Sequence, residues 1–288
     1  MGARPLLSGV LVLGLLAAAG YAFVRFLDNS PTFPLTSQCQ VSGDQSVLLQ
    51  ADQMAHAATI GAVAVRRDLP DRAITVALAT ALQESKLRNL AGGDRDSVGL
   101  FQQRPSQGWG TPEQLRDPRY AARAFYKHLV RVPGWHRMRL TEAAQAVQKS
   151  AHPEAYQKWS QEAEVLSAAL SGANPESVTC TLRGDPDGHG AQGARDLDRA
   201  ITLDWGRRAA DRSTKGRSIE LAVPDDRSGW RLAHWLVAHS AVHSISDVRF
   251  AGRRWNAEEG EWSGTPAQVS TTESKTVTAQ IYPENHLG

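Results

Sequence analysis

The sequence predicts an α-helical domain followed by a smaller α+β domain, with one N-terminal transmembrane helix ahead of both. Three observations lead there. Between positions 51 and 171, apolar residues recur at helical spacing, broken by proline-headed and capped starts. The stretch "GDPDGHGAQGARD" then changes the texture, and short alternating runs follow it. At the other end, Leu6 to Val24 is apolar apart from Ser8 and the glycines, with Arg4 before it and Arg25 after it. The boundaries that follow are an anchor over 1–28, a stalk over 29–50, a helical domain over 51–171, a linker over 172–196 and an accessory domain over 197–288.

Length and charge bound the function. A chain of 288 residues exceeds the usual single domain. A net charge of +2, with no basic run and no zinc-finger spacing, argues against nucleic acid as a partner. A mildly basic surface suits an anionic polymer such as a cell wall. A bilayer span takes about 20 apolar residues, which the N-terminal run supplies. Small residues at Ala17 to Gly20 offer a cleavage site, but the apolar run continues through Tyr21, Phe23 and Val24. An uncleaved single-pass anchor with both domains extracytoplasmic is therefore the expectation, and secretion after cleavage is the alternative. Cys39 and Cys180 flank the helical segment. In an exported chain they would form a disulfide clamping its two ends, contributing about 4–5 kcal/mol through loop closure.

The elements can be read in order. Ser30 to Gln40 is polar with two prolines, which suits a stalk. Ala51 to Arg67 is alanine-rich, with Met54, Ala58, Gly61, Ala62 and Val65 on one helical face. Pro70 and Asp71 open the next helix, with Asp71 as its cap and Ile74, Ala77, Leu78, Ala81 and Leu82 as its stripe. Thr111-Pro112-Glu113-Gln114 reads as a capping box, and Asp117-Pro118 starts another helix bearing Ala121, Phe125, His128 and Leu129. Thr141 starts a shorter helix. Pro153 starts a long one through Trp159, Ala163, Leu166 and Leu170, stopped at Gly172. Past the linker, Ser218 to Val223, Ile245 to Phe250 and Lys275 to Tyr282 read as strands, and Ser228 to Ala241 as a helix.

Glu84 stands where chemistry is expected. It lies at the edge of the apolar stripe near the end of its helix. A carboxylate there faces the negative pole of the helix macrodipole, and partial burial adds to that. Both effects favour the protonated form that a general acid for glycosidic cleavage needs. A solvated glutamate in a last helical turn is the plain alternative.

The flanking residues carry a resemblance. "ALQESKLRN", then "GGDRDSVGLFQQRP", then "LRDPRYAARAFYKHL" resemble the lysozyme-like superfamily of lytic transglycosylases and goose-type lysozymes. In that family a Glu-Ser pair ends an apolar helix and a Gly-Leu-Met-Gln step follows. Here the matches are Glu84-Ser85 and Gly99-Leu100-Phe101-Gln102. The resemblance spans positions 51–171 and implies a lysozyme-like helical fold. It implies cleavage of the β-1,4 bond between N-acetylmuramic acid and N-acetylglucosamine in peptidoglycan strands, without a cofactor or metal. Glu84 would protonate the leaving oxygen, then act as base for closure of a 1,6-anhydro ring. Ser85 would orient Glu84 or the loop, and Gln102 would bond sugar. Phe101 and Trp109 are readable equally as sugar-stacking rings or as core.

Three departures matter. Asp96-Ser97 stand where transglycosylases usually have Gly-Ala. The step Gly93 to Arg95 resembles goose-type lysozymes, so Asp94, or Asp96, is a candidate second carboxylate for a hydrolytic muramidase; loop capping is the alternative for both. The family's Tyr-Asn-x-Gly motif is absent, leaving Gln148 or Tyr156 to stand in. A glycan-binding protein without activity is the reading from another class.

The C-terminal segment is less legible. His234, His239 and His243 invite a metal, but no glutamate follows His239 as a zinc-protease motif requires, and structural histidines are the simpler reading. The segment is faintly similar to zinc D-Ala-D-Ala carboxypeptidase-like wall domains. "DRSTKGRSIEL" keeps Gly216 but has Ser213 and Glu220 where that family has metal ligands, which implies a lost zinc site and a non-catalytic module. Trp230, Trp235, Trp255 and Trp262 are core by default, or a sugar-binding surface.

Overall fold

A strand opens the structure where a stalk was expected. The computed structural model describes residues 37–183, 189–207, 210–265 and 275–284. Strands β1 (Gln38–Ser42) and β2 (Ser46–Gln50) form an antiparallel hairpin. Cys39, Val41, Val47 and Leu49 point inward and their neighbours point out, the period-two pattern of a sheet with one buried face. Strand β3 (Val178–Thr181) pairs with the other edge of β1 and sets Cys180 opposite Cys39, and the two form a disulfide.

Helix α1 (Ala51–Arg66) leaves β2 directly and is buried along most of its length. Its small residues permit close packing from several sides. It touches α2 (Asp71–Ser85), α4 (Pro118–Leu129), α7 (Gly190–Trp205) and α8 (Asp226–Ala238). Helix α2 packs on α5 (Leu140–Gln148) and α6 (Ser160–Leu170). Short α3 (Pro112–Leu115) has the capping box: Thr111 Oγ1 accepts from Gln114 N at 3.3 Å, and Gln114 Oε1 accepts from Thr111 N at 3.0 Å. Asp117 caps α4 by accepting from Arg119 N at 2.9 Å.

Six strands form a second antiparallel sheet in the order β4-β5-β9-β6-β7-β8. They are β4 (Asp211–Lys215), β5 (Ser218–Ala222), β6 (Ile245–Phe250), β7 (Arg253–Asn256), β8 (Trp262–Ser263) and β9 (Thr276–Ile281). Helix α7 packs on β4, β5 and β9, while α8 packs on β6 and β9 and also reaches β3, α1 and α6. Short α9 (Ser240–His243) follows α8.

These contacts correct the expected fold. An all-helical lysozyme-like domain followed by a separate α+β module is not what forms. Among the described residues, nine α-helices and two antiparallel sheets make a mixed α/β structure whose buried apolar residues join in one cluster. The reason is physical. Strands β1, β2 and β3 have five, five and four residues, too few for alternation to stand out. Two of them fall in the expected stalk. The expected linker contains β3 and the first two turns of α7. Asp71 is not a cap: Pro70 holds that position, and the Asp71 carboxylate pairs instead with Arg227 on α8. The run Leu6 to Val24, expected to be a membrane helix, lies outside the described residues. Among those described, no helix is long and apolar enough to cross a membrane.

Candidate functional site

Glu84 sits half-buried in the last turn of α2. The chain then takes two left-handed residues in succession, Lys86 at φ 57° and Leu87 at φ 60°. Such backbone is costly for residues with a Cβ and needs outside support. Helix α1 gives it: Gln53 Nε2 donates to Lys86 O at 2.7 Å, and His56 Nδ1 lies 2.8 Å from Leu87 O. The turn behind Glu84 is thus fixed by a second helix.

Tyr156, 72 residues on and fully buried, donates its phenol to Glu84 Oε1 at 2.8 Å. Burial first, then the Glu84 charge and this hydrogen bond, raise the phenol's pKa well above its ordinary value. The phenol stays protonated and remains a donor. Beside it, Trp159 Nε1 donates to Gln83 Oε1 at 2.9 Å, and Lys86 Nζ lies 3.6 Å from the centre of the Trp159 ring.

The glycine-rich loop is tied to the same helix end. Ser85 Oγ lies 3.1 Å from Ala81 O and 2.7 Å from Leu100 O. Gln148 Nε2 donates to the next carbonyl, Phe101 O, at 2.8 Å. Two successive carbonyls are therefore held from two helices. The residue that follows, Gln102, has φ 46°, and its amide donates to Gly99 O at 3.2 Å. A strained residue between clamped neighbours is a common feature of functional loops. Gly93 gives the Gln102 side chain its room, since a Cβ there would lie 1.7 Å from Gln102 Oε1. Gln103, buried, pairs with Val98 and donates to Ala121 O at 3.2 Å, anchoring the loop to α4.

The remaining candidates separate by environment. Phe101 is fully buried and stacked on Phe125 at 4.8 Å, so it is core and offers no face to a sugar. Trp109 is half-buried and stacked on His128 at 4.1 Å. Asp96 accepts from Arg104 Nε at 2.7 Å, Ser106 N at 2.7 Å and Ser106 Oγ at 3.0 Å. Arg104 first, then Ser106, hold its carboxyl well below the usual carboxylate range. Asp96 is a loop cap with its oxygens in use. The Asp94 side chain is 92% exposed, with Arg95 at 4.0 Å.

Gln83, Lys86 and Gln103 belong to this region although no motif in the sequence marks them. Trp159 reads from the sequence only as a stripe residue of a helix from Pro153. That helix starts at Ser160, and Gln157–Trp159 form a 3-10 turn. Two depressions in the surface lie elsewhere and neither includes Glu84: one beside Gly43 and Glu164, the other on the open sheet face around Arg249 and Thr278.

The C-terminal histidines are interior groups. His234 Nδ1 lies 2.8 Å from Ala169 O, and His239 Nδ1 lies 2.9 Å from Trp235 O. Burial pushes both rings down to about 4; for His234 the Ala169 carbonyl, and for His239 first the Asp204 carboxylate, work the other way. Among the described residues no three metal-ligating side chains cluster. Ser213 and Glu220 face each other across the β4–β5 hairpin. Trp230, Trp235 and Trp255 are buried, and Trp262 donates to Val178 O at 2.8 Å. Three of these rings are core and the half-buried Trp262 packs on Trp230, so they do not make a sugar surface. Comparison with protein-family models and with curated proteins gives no match for this chain.

Proposed function

We propose that this protein cleaves the β-1,4 glycosidic bond of peptidoglycan strands, with Glu84 as general acid and then base. The observation that carries the reading is the bond from Tyr156 to Glu84 Oε1. With Oε1 accepting from the phenol, an acid proton on Glu84 belongs on Oε2, so the donor oxygen is defined. Glu84 gives that proton to the leaving glycosidic oxygen as the C1–O bond breaks and positive charge develops on the sugar ring. The resulting carboxylate then takes the proton of the muramyl 6-hydroxyl, whose oxygen bonds to C1 and closes the anhydro ring. Tyr156 supplies the support that the missing tyrosine motif would have given. Gln102, held in a strained conformation by the Ser85 and Gln148 clamps, is the polar group offered to the sugar. The Cys39–Cys180 disulfide favours an oxidising, extracytoplasmic location, where the substrate lies.

Hydrolysis is the second reading. It rests on Asp94, which is exposed and has only a distant partner, whereas Asp96 is occupied. The test is digestion of purified peptidoglycan by the full-length protein, with products read by mass spectrometry. Anhydro-muropeptides are expected, reduced at least about 100-fold by Glu84→Gln. Reducing muramic ends would instead assign hydrolysis and make Asp94 the base to test. Binding without turnover, indifferent to Glu84→Gln, would leave a glycan-binding protein.

A further inference from the structure

Helix α4 carries Arg119, Arg123 and Lys127 at four-residue intervals, and Arg131 continues the interval past its end. Residues so spaced stack on one helical face, where like charges repel. Nothing local relieves them, because positions 118–141 contain neither Asp nor Glu. Arg119, at the buried end, is neutralised by Asp204. Arg123 lies 5.9 Å from the centre of the Tyr120 ring. Lys127 and Arg131 are exposed and make no ion pair among the described residues. Because the cations are spread through the sequence, no basic run announces them.

The ridge ends beside the candidate site. His128 stacks on Trp109 at 4.1 Å. Its ring is held below the ordinary histidine range by burial first, then by Arg131, Lys127 and Lys149. Lys127 and Arg131 flank His128 on and just past α4, and Lys149 ends α5, which packs on α4. Lys149 follows Gln148, whose amide holds Phe101 O, so the cluster borders the loop that presents Gln102.

We propose that Trp109, Lys127, Arg131 and Lys149 form a subsite for an anionic substituent of the glycan strand, a carboxylate or a phosphodiester group. The Trp109 edge contacts the sugar and the three cations hold the charge. This rests on the reading of Glu84 as the cleavage site, since it places the subsite along the same strand. A half-buried aromatic ring stacked beside the cations favours a glycan over a lipid surface. A lipid surface would call for several exposed apolar residues around them, where, among the described residues, Val130 alone is a large exposed hydrophobic.

The test is co-sedimentation of the full-length protein with wall sacculi at rising salt. The sacculi are used intact, stripped of phosphodiester polymers, or stripped of stem peptides, and phosphatidylglycerol vesicles run in parallel. The triple variant Lys127→Glu, Arg131→Glu, Lys149→Glu changes only exposed side chains. It should bind intact sacculi about tenfold more weakly or worse and lose the salt dependence. Weaker binding after one of the two strippings identifies the anion. Unchanged binding by the triple variant would overturn the proposal, as would equal affinity for vesicles and sacculi. The same measurement in the Glu84→Gln background separates the two ideas. If Glu84→Gln still turns over substrate, the cleavage reading fails, whereas the subsite fails only on the binding data.

Discussion

At the residue scale the decisive contact is Tyr156 on Glu84. The tyrosine is fully buried with its one polar atom spent on the carboxylate, so a packing role and a positioning role can be told apart by removing the hydroxyl alone. A hydrogen bond to a charged group is worth about 1.5–3 kcal/mol. Tyr156→Phe should therefore lower kcat about 10–100-fold, with KM nearly unchanged and a native-like melting curve. Loss of activity only in step with loss of folding would reduce Tyr156 to a core residue. Glu84 was legible because its neighbours in sequence form a motif. Its partner was legible only as one of two candidates, Gln148 or Tyr156, because a contact across 72 residues leaves no local pattern. Phe101 was open between a sugar platform and core, because a motif position does not say which way a ring turns; the tight turn drives it onto Phe125.

At the element scale, the parts read well are those whose cause is local. The Thr111 box and the Asp117 cap need only four residues each, and strand β6 runs from Ile245 to Phe250 as its alternation suggests. The parts read badly depend on distant partners. Strand β1 exists because β2 and β3 flank it, and nothing within five residues says so. The loop after Glu84 lies between these cases. Its glycines are visible in the sequence, but which of them are required is not. Gly99 has φ 78°, and a Cβ there would lie 2.3 Å from Leu115 O. Gly92 has no neighbour within 4 Å of such a Cβ. Gly99→Ala should cost at least about 2 kcal/mol in urea denaturation and disturb Gln102, whereas Gly92→Ala should be neutral within about 0.5 kcal/mol. Equal effects at the two positions would mean that the loop does not hold the tight approach to α3.

At the scale of the whole molecule, a buried polar group joins the helical half to the half bearing the large sheet. Asp204 on α7 is fully buried and accepts from Thr59 Oγ1 on α1 at 2.9 Å and from Trp235 Nε1 on α8 at 2.9 Å, and it pairs with Arg119 on α4. His239 Nε2 lies 3.9 Å from the same carboxylate. His234 and His239, both fully buried, are pushed down to about 4, so each is neutral in the folded protein at pH 6. Unfolded, each ring titrates near 6.5. Between those values the unfolded chain binds more protons, so stability is full above about pH 6.5 and falls as pH drops towards 4. At about 1.4 kcal/mol per unit, each ring should remove roughly 2 kcal/mol between pH 7.5 and pH 5, before most carboxylates titrate. His243 is shifted the same way, by burial first, and adds to the slope. Urea midpoints across that range, for wild type and for His234→Gln and His239→Gln separately, test the assignment. Each variant should start less stable at pH 7.5 and show a shallower decline. A decline of unchanged slope in both variants would show that the rings are not what couples the fold to acid.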